Sequence, residues 1–182
     1  MTRISIYHVG ALEEVLTTVA AGSGIRWSTE MHDWLGHGIY FWEDINWAEW
    51  WQAERWHMSQ GVRSGAILAA SIDVDLLLDL SRRSDADFFR EEASVALEAI
   101  QRRKNQPVND NKNQLFYLDC AVVNSIQRSL ADSGKHGLRM PFHLGTSLTE
   151  DGNFFAGQHL QVCLWNIEAL QDVIHISQPD RL

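Results

Sequence analysis

A chain of 182 residues with 45% hydrophobic composition holds enough apolar mass for one domain with a sizeable core. Its formal net charge of -9 at pH 7 argues against a general nucleic-acid binder, which would carry a basic surface. No apolar run reaches the roughly 18 residues of a membrane span, and the first 20 residues, with Glu13 and Glu14, do not read as a signal peptide, so a cytoplasmic protein is expected.

In chain order, Ile4-Ser5-Ile6-Tyr7-His8-Val9 alternates and predicts a strand ending near His8, broken by Gly10. Leu12, Val15, Leu16 and Val19 then fall on one face of a helix over 11–21, stopped by Gly22 and Gly24. A short strand is expected over 25–29 and a glycine-entered one over 36–42. Asp44 is placed to N-cap a helix over 45–58. Residues 64–71 suit a buried strand, and 72–80 a strand, a turn and a short extended piece. Two helices follow. The first covers 85–104, with Phe88, Phe89, Ala93, Ala96, Leu97 and Ile100 inward, and the second covers 113–130, with Leu115, Leu118, Val122 and Ile126 in register. Residues 132–157 read as irregular, and 159–165 and 172–177 as the last strands. The sum is a single α+β domain over 1–182, without repeats or a linker.

Cys120 and Cys163 sit in apolar patterns and predict buried free thiols. No metal, P-loop or Rossmann spacing occurs, and the eight histidines are scattered, so no metal site is expected. Seven of the eight tryptophans lie between positions 27 and 56, forming either a dense small core or a binding surface. Of these, Trp47, Trp50 and Trp51 share one helix face, which points to packing. Gln161 is an amide at an inward strand position and needs hydrogen-bond partners.

Tyr7-His8 on the first strand, Gly36-His37-Gly38-Ile39-Tyr40-Phe41 leading into a Trp-rich helix, and His159-Leu160-Gln161-Val162 on a late strand together resemble a known family. This is the ADP-ribosyltransferase superfamily, in its diphtheria-toxin-like and polymerase-like branch, marked by His, Tyr and Glu on three core strands. Ile39-Tyr40-Phe41-Trp42-Glu43 and Leu118-Asp119-Cys120-Ala121-Val122-Val123 extend the similarity to bacterial proteins of toxin or defence type. The resemblance covers nearly the whole chain through short motifs whose order carries the weight.

The resemblance implies two small, mostly antiparallel sheets with flanking helices, and an enzyme that passes ADP-ribose from NAD to a macromolecule. It implies that His8 bonds the adenosine ribose, that the backbone of Val9 holds the nicotinamide carboxamide, and that Tyr40 stacks on the nicotinamide ring. Gly38 and Trp51 would help line the NAD pocket. Gln161 stands where the family has its catalytic glutamate. A carboxylate stabilises the oxocarbenium charge that develops as nicotinamide leaves, whereas an amide supplies only a dipole. Glu150 and Asp151, in the loop before the strand, and Glu43 are the acids that could enter the site instead, although Glu43 also suits an electrostatic role before its helix.

The acceptor is open between nucleic acid and protein. Arg82 and Arg83, or Arg102, Arg103 and Lys104, could supply local positive charge. An antitoxin or chaperone partner is compatible with the tryptophan cluster. Two rival readings stand beside transfer: NAD hydrolysis, and an inactive binding domain, which Gln161 favours.

Overall fold

A computed structural model describes residues 2–56, 65–113, 115–143 and 157–176. It is an α+β fold: among the described residues, a mixed seven-stranded sheet in the order β4-β5-β6-β2-β1-β3-β7, with four α-helices. The strands are β1 (Arg3–Ala11), β2 (Ile39–Trp42), β3 (Gly65–Asp73), β4 (Leu77–Asp79), β5 (Gly137–His143), β6 (Gln158–Leu164) and β7 (Gln171–Ile176). The helices are α1 (Leu12–Ala21), α2 (Ile45–Trp50), α3 (Arg83–Gln101) and α4 (Tyr117–Asp132). All neighbours pair antiparallel except β4 and β5.

Strand alternation divides the core in two. On one face Ile6, Ile39, Phe41, Leu68, Ile72, Val162 and Leu164 pack with Val15 of α1. On the other, Leu78 and Leu138 pack against Val123, Ile126 and Leu130 of α4 and Ala96 of α3. Farther along that second face, Val9, Trp42 and Ile67 pack against Ala48, with Tyr7, Trp47 and Trp51 around them. Asp44 caps α2 as expected, accepting from the Asn46 N–H at 2.9 Å. The chain continues as a π-helical turn over Trp51–Trp56, and the expected helix end near 58 lies outside the described residues.

Several local expectations are corrected. The sheet is one rather than two, although β1 and β2 join through the single register pair Tyr7↔Trp42. Over 25–29 there is only an isolated bridge between Ser28 and Gly38. In α1 only Val15 and Thr18 are buried; Leu12, Leu16 and Val19 stay 41%, 47% and 39% exposed. β1 runs into α1 without a loop, so the strand's exit fixes which side of the helix meets the sheet. The buried face of α4 is Cys120, Val123, Ile126 and Leu130, and Leu115 precedes the helix in a bridge with Asp110.

β5 forms inside the stretch expected to be irregular. Its turn-like composition has tertiary uses. A Cβ on Gly137 would lie 2.5 Å from the Cys163 carbonyl oxygen, so only glycine fits beside β6. Pro141 pairs with Leu160 of β6 beyond the end of β4, whose pairing stops at Asp79↔Arg139, so no neighbour on that side needs its missing N–H. No helix among the described residues is long and apolar enough to cross a membrane.

Candidate functional site

The loop entering β2 is built to hold one tyrosine. Gly36 has a φ of 75°, and a Cβ there would lie 2.7 Å from Cγ1 of Val123, so both conformation and space require glycine. The hydroxyl of Tyr40 donates to the Gly36 carbonyl at 2.8 Å and accepts the Leu35 N–H at 3.0 Å. The loop is tied to α4 as well: His37 N–H donates to Asn124 Oδ1, and Gln127 Nε2 donates to the His37 carbonyl. Burial pushes the Tyr40 hydroxyl far above its ordinary pKa, so it stays a neutral donor and acceptor. The phenol is clamped at its tip while its ring remains half-buried.

His8 occupies the place where β1 and β2 part. Beyond Tyr7↔Trp42 no further ladder pair joins the two strands. There His8 Nδ1 lies 2.8 Å from the Tyr40 carbonyl oxygen, and the imidazole packs against Phe41 at a centroid distance of 5.5 Å. A carbonyl only accepts, so Nδ1 carries the hydrogen and Nε2 is left as an acceptor in the neutral ring. Burial lowers the His8 pKa more than the hydrogen bond to Tyr40 raises it, which keeps the ring neutral. Gly10 makes room for it, because a Cβ there would come 3.0 Å from Nε2.

Gln161 lies on the face that carries the Tyr40 ring. Trp42 pairs with Gln161 across β2 and β6, and Met140 pairs with Gln161 across β5 and β6. The Gln161 side chain is 5% exposed and its Oε1 accepts the Trp34 indole N–H at 2.9 Å. Trp34 stacks on Phe142 at 3.7 Å and leans on Phe116 at 5.3 Å. His159 continues the arc, 4.8 Å from Trp42 and 4.9 Å from Trp47, and Trp42 meets Trp51 at 5.9 Å. An aromatic wall therefore runs from Phe116 to Trp51 with one amide set into it.

The other expected residues are placed as follows. The side chain of Val9 is spent on packing against α2. At Gly38 a Cβ would lie 2.6 Å from Cys163 Sγ and 2.7 Å from the Leu164 carbonyl oxygen, so close approach of β6 explains the glycine. Trp51 is part of the aromatic wall. Glu150 and Asp151 lie outside the described residues. No hydrogen bond or ring contact joins His8 to Gln161 among the described residues, since β1 alternation sends His8 to the face opposite Tyr7.

Glu43 is not a free acid. Its two oxygens hold Arg139 Nε and Nη2 at 2.5 and 2.9 Å, and Arg139 Nη1 holds Asp79 at 2.6 Å. Burial favours the neutral Asp79 carboxyl, but hydrogen bonds from Ser81 and the Arg139 guanidinium outweigh it and hold the pKa below the ordinary value. Glu43, Arg139 and Asp79 thus form a part-buried ion triad joining β2, β4 and β5.

Three of the five basic residues are paired too: Arg82 with Asp79, Arg83 with Asp87, and Arg102 with Glu98. The two groups flank α3, whose 19 residues span about 28 Å, so they do not form one patch. Cys120 and Cys163 are buried free thiols. Among the described residues no three His, Cys, Asp or Glu side chains gather as a metal site requires. Phe142 was not singled out by the sequence, and Trp34 entered only as one of the tryptophan cluster, since Trp34 meets Gln161 across 127 positions and no local pattern encodes that contact. No family model, curated protein or solved structure matches the chain.

Proposed function

We propose that the chain is an NAD-dependent mono-ADP-ribosyltransferase of toxin or defence type, which releases nicotinamide and passes ADP-ribose to a macromolecule. The observation that carries this reading is the link between His8 and the Tyr40 backbone at the parting of β1 and β2. It leaves a neutral imidazole whose Nε2 can accept from a ribose hydroxyl, bonded to the backbone of a tyrosine whose phenol is clamped by its own loop. His8, Tyr40 and Gln161 also sit on β1, β2 and β6, three neighbours in the sheet, in keeping with the strand arrangement of that family. The single pair joining β1 and β2 gives the sheet a seam between a β4-β5-β6-β2 half and a β1-β3-β7 half.

One observation favours a second reading, a binding domain without turnover. Gln161 has no charge, and Glu43, the nearest expected acid among the described residues, is neutralised by Arg139. An assay separates the two. Purified protein is incubated with NAD, and nicotinamide is followed with and without cell lysate, RNA or DNA. Release only with an acceptor supports transfer, and release in buffer alone indicates hydrolysis. Measurable NAD binding with no release under any condition leaves the binding domain.

A further inference from the structure

Both glycines of Gly36-His37-Gly38 are required by close packing, and the residue between them is held by side chains where a strand would otherwise hold it. The His37 N–H donates to Asn124 Oδ1, and the His37 carbonyl accepts from Gln127 Nε2, each at 2.7 Å. A backbone N–H only donates and a carbonyl only accepts, so each amide has one permitted orientation. The Asn124 nitrogen then donates to the sulfur of Cys120 at 3.3 Å, and the Cys120 thiol donates to the Glu30 carbonyl at 3.5 Å. Cys120, Asn124 and Gln127 are spaced i, i+4 and i+7 on α4, so one face of that helix grips the backbone between Glu30 and His37.

That backbone carries the aromatic side of the site. Leu35 and Gly36 hold the Tyr40 hydroxyl, and Trp34, whose indole N–H donates to Gln161, lies one residue earlier. The fit leaves no slack, since a Cβ on Gly36 would lie 2.8 Å from Asn124 Oδ1. Displacing His37 therefore displaces the groups on which Tyr40 and Trp34 depend.

We propose that Asn124 and Gln127 are positioning residues: by holding both backbone groups of His37 they set Tyr40 and Trp34 for a nucleotide that neither amide touches. The assignment rests on reading this face as an NAD site. What matters at each position is then one atom, an acceptor at 124 and a donor at 127, and not the volume of the side chain.

Paired variants of the full chain test this: Asn124→Asp, which keeps the acceptor, against Asn124→Leu, and Gln127→Lys, which keeps an N–H donor, against Gln127→Met. Hydrogen exchange at the Leu35 amide and the Trp34 indole, followed by NMR, reports whether Tyr40 and Trp34 stay in place. Amides of β3 control for a global loss of stability. In Asn124→Leu and Gln127→Met both probes should exchange roughly tenfold faster while β3 stays protected, and NAD affinity by isothermal titration should fall by a similar factor. Asn124→Asp and Gln127→Lys should keep both properties. Packing alone gives the reverse order, because an apolar side chain disturbs a part-buried contact less than a charged one. Unchanged exchange in all four variants, faster exchange only in step with β3, or the reverse order overturns the proposal. Unchanged NAD affinity in a variant whose loop has loosened overturns it as well. Failure of the wild-type chain to bind NAD removes the nucleotide reading alone, and the exchange pattern still decides the roles of Asn124 and Gln127.

Discussion

His8 and Tyr40 are joined side chain to backbone, Nδ1 to carbonyl oxygen at 2.8 Å, where the ladder between β1 and β2 has already ended. The imidazole takes the place of the next inter-strand bond. A residue expected to serve a ligand thus also holds the seam of the sheet, and its two roles can be separated by pH and by substitution.

Because burial lowers the His8 pKa below the ordinary 6.5, the unfolded chain binds a proton that the folded one refuses in the window between the folded value and 6.5. The His8 contribution is therefore fully present above pH 6.5 and declines as pH falls toward the folded value, where the ring charges. Urea denaturation at several pH values should show this slope, and His8→Gln should flatten it. An unchanged slope in His8→Gln would mean that the ring is not buried neutral.

Tyr40 should separate clamp from stacking. Tyr40→Phe leaves the Leu35 N–H and the Gly36 carbonyl without their partner and should cost about 1–3 kcal/mol of stability. Its NAD affinity should stay near wild type because the ring remains. Tyr40→Ala should lose NAD binding by about 1–3 kcal/mol, the scale of base–aromatic stacking. Thermal melts and NAD titration on both variants check the pair. Normal NAD binding by Tyr40→Ala would remove the ring from the site.

Arg139 pairs with two carboxylates at once, with the Arg139, Glu43 and Asp79 side chains 15%, 16% and 2% exposed. Arg139→Met leaves the part-buried Glu43 without this partner and Asp79 with only Arg82 and Ser81, so a loss of about 3 kcal/mol, the lower end for a broken buried pair, is expected. The loss should be relieved at low pH, since protonating Asp79 removes a charge that Arg139 balanced. In the wild-type chain the sign is opposite: the depressed Asp79 pKa contributes stability above the ordinary 3.8 that is lost as pH falls through the folded value. Denaturation curves of the two proteins near pH 7 and pH 4 should converge.

Two glycines of the same chain should respond for different reasons. Gly38→Ala drives a methyl to 2.6 Å from Cys163 Sγ and 2.7 Å from backbone of β6, and should cost about 1–3 kcal/mol by overpacking. Gly22→Ala meets nothing within 4 Å, but φ is 69°, so only backbone strain opposes it, at about 1 kcal/mol. Chemical denaturation of both variants checks the order. A larger loss at Gly22 would reverse the explanation.

Much of the fold was legible because its determinants are local. Alternation around Ile6 and Phe41, the Asp44 cap, and the glycine-entered strand before the tryptophans depend on spacing within a few residues, and the structure bears them out. Buried Cys120 and Cys163 were readable from their apolar neighbours. β5 was not legible, since Gly137 and Pro141 look like turn residues until β6 lies beside one and β4 stops short of the other. The roll of α1 was equally hidden, because Leu12, Leu16 and Val19 satisfy helical spacing whether or not a sheet covers them.

For the site, the sequence by itself determined that a histidine, a tyrosine and a glutamine stand on three strands, because strand signals and residue identities need no partner. Only the tertiary structure decided what those residues can do. It set His8 against the Tyr40 carbonyl, closed Tyr40 onto its own loop, and spent Glu43 on Arg139 across 96 positions. It also turned the Gln161 amide toward Trp34 across 127 positions. Hydrogen bonding is directional and pairwise, so the chemistry of an amide or an acid is fixed by which group meets it, and distant sequence positions meet only once the sheet has formed.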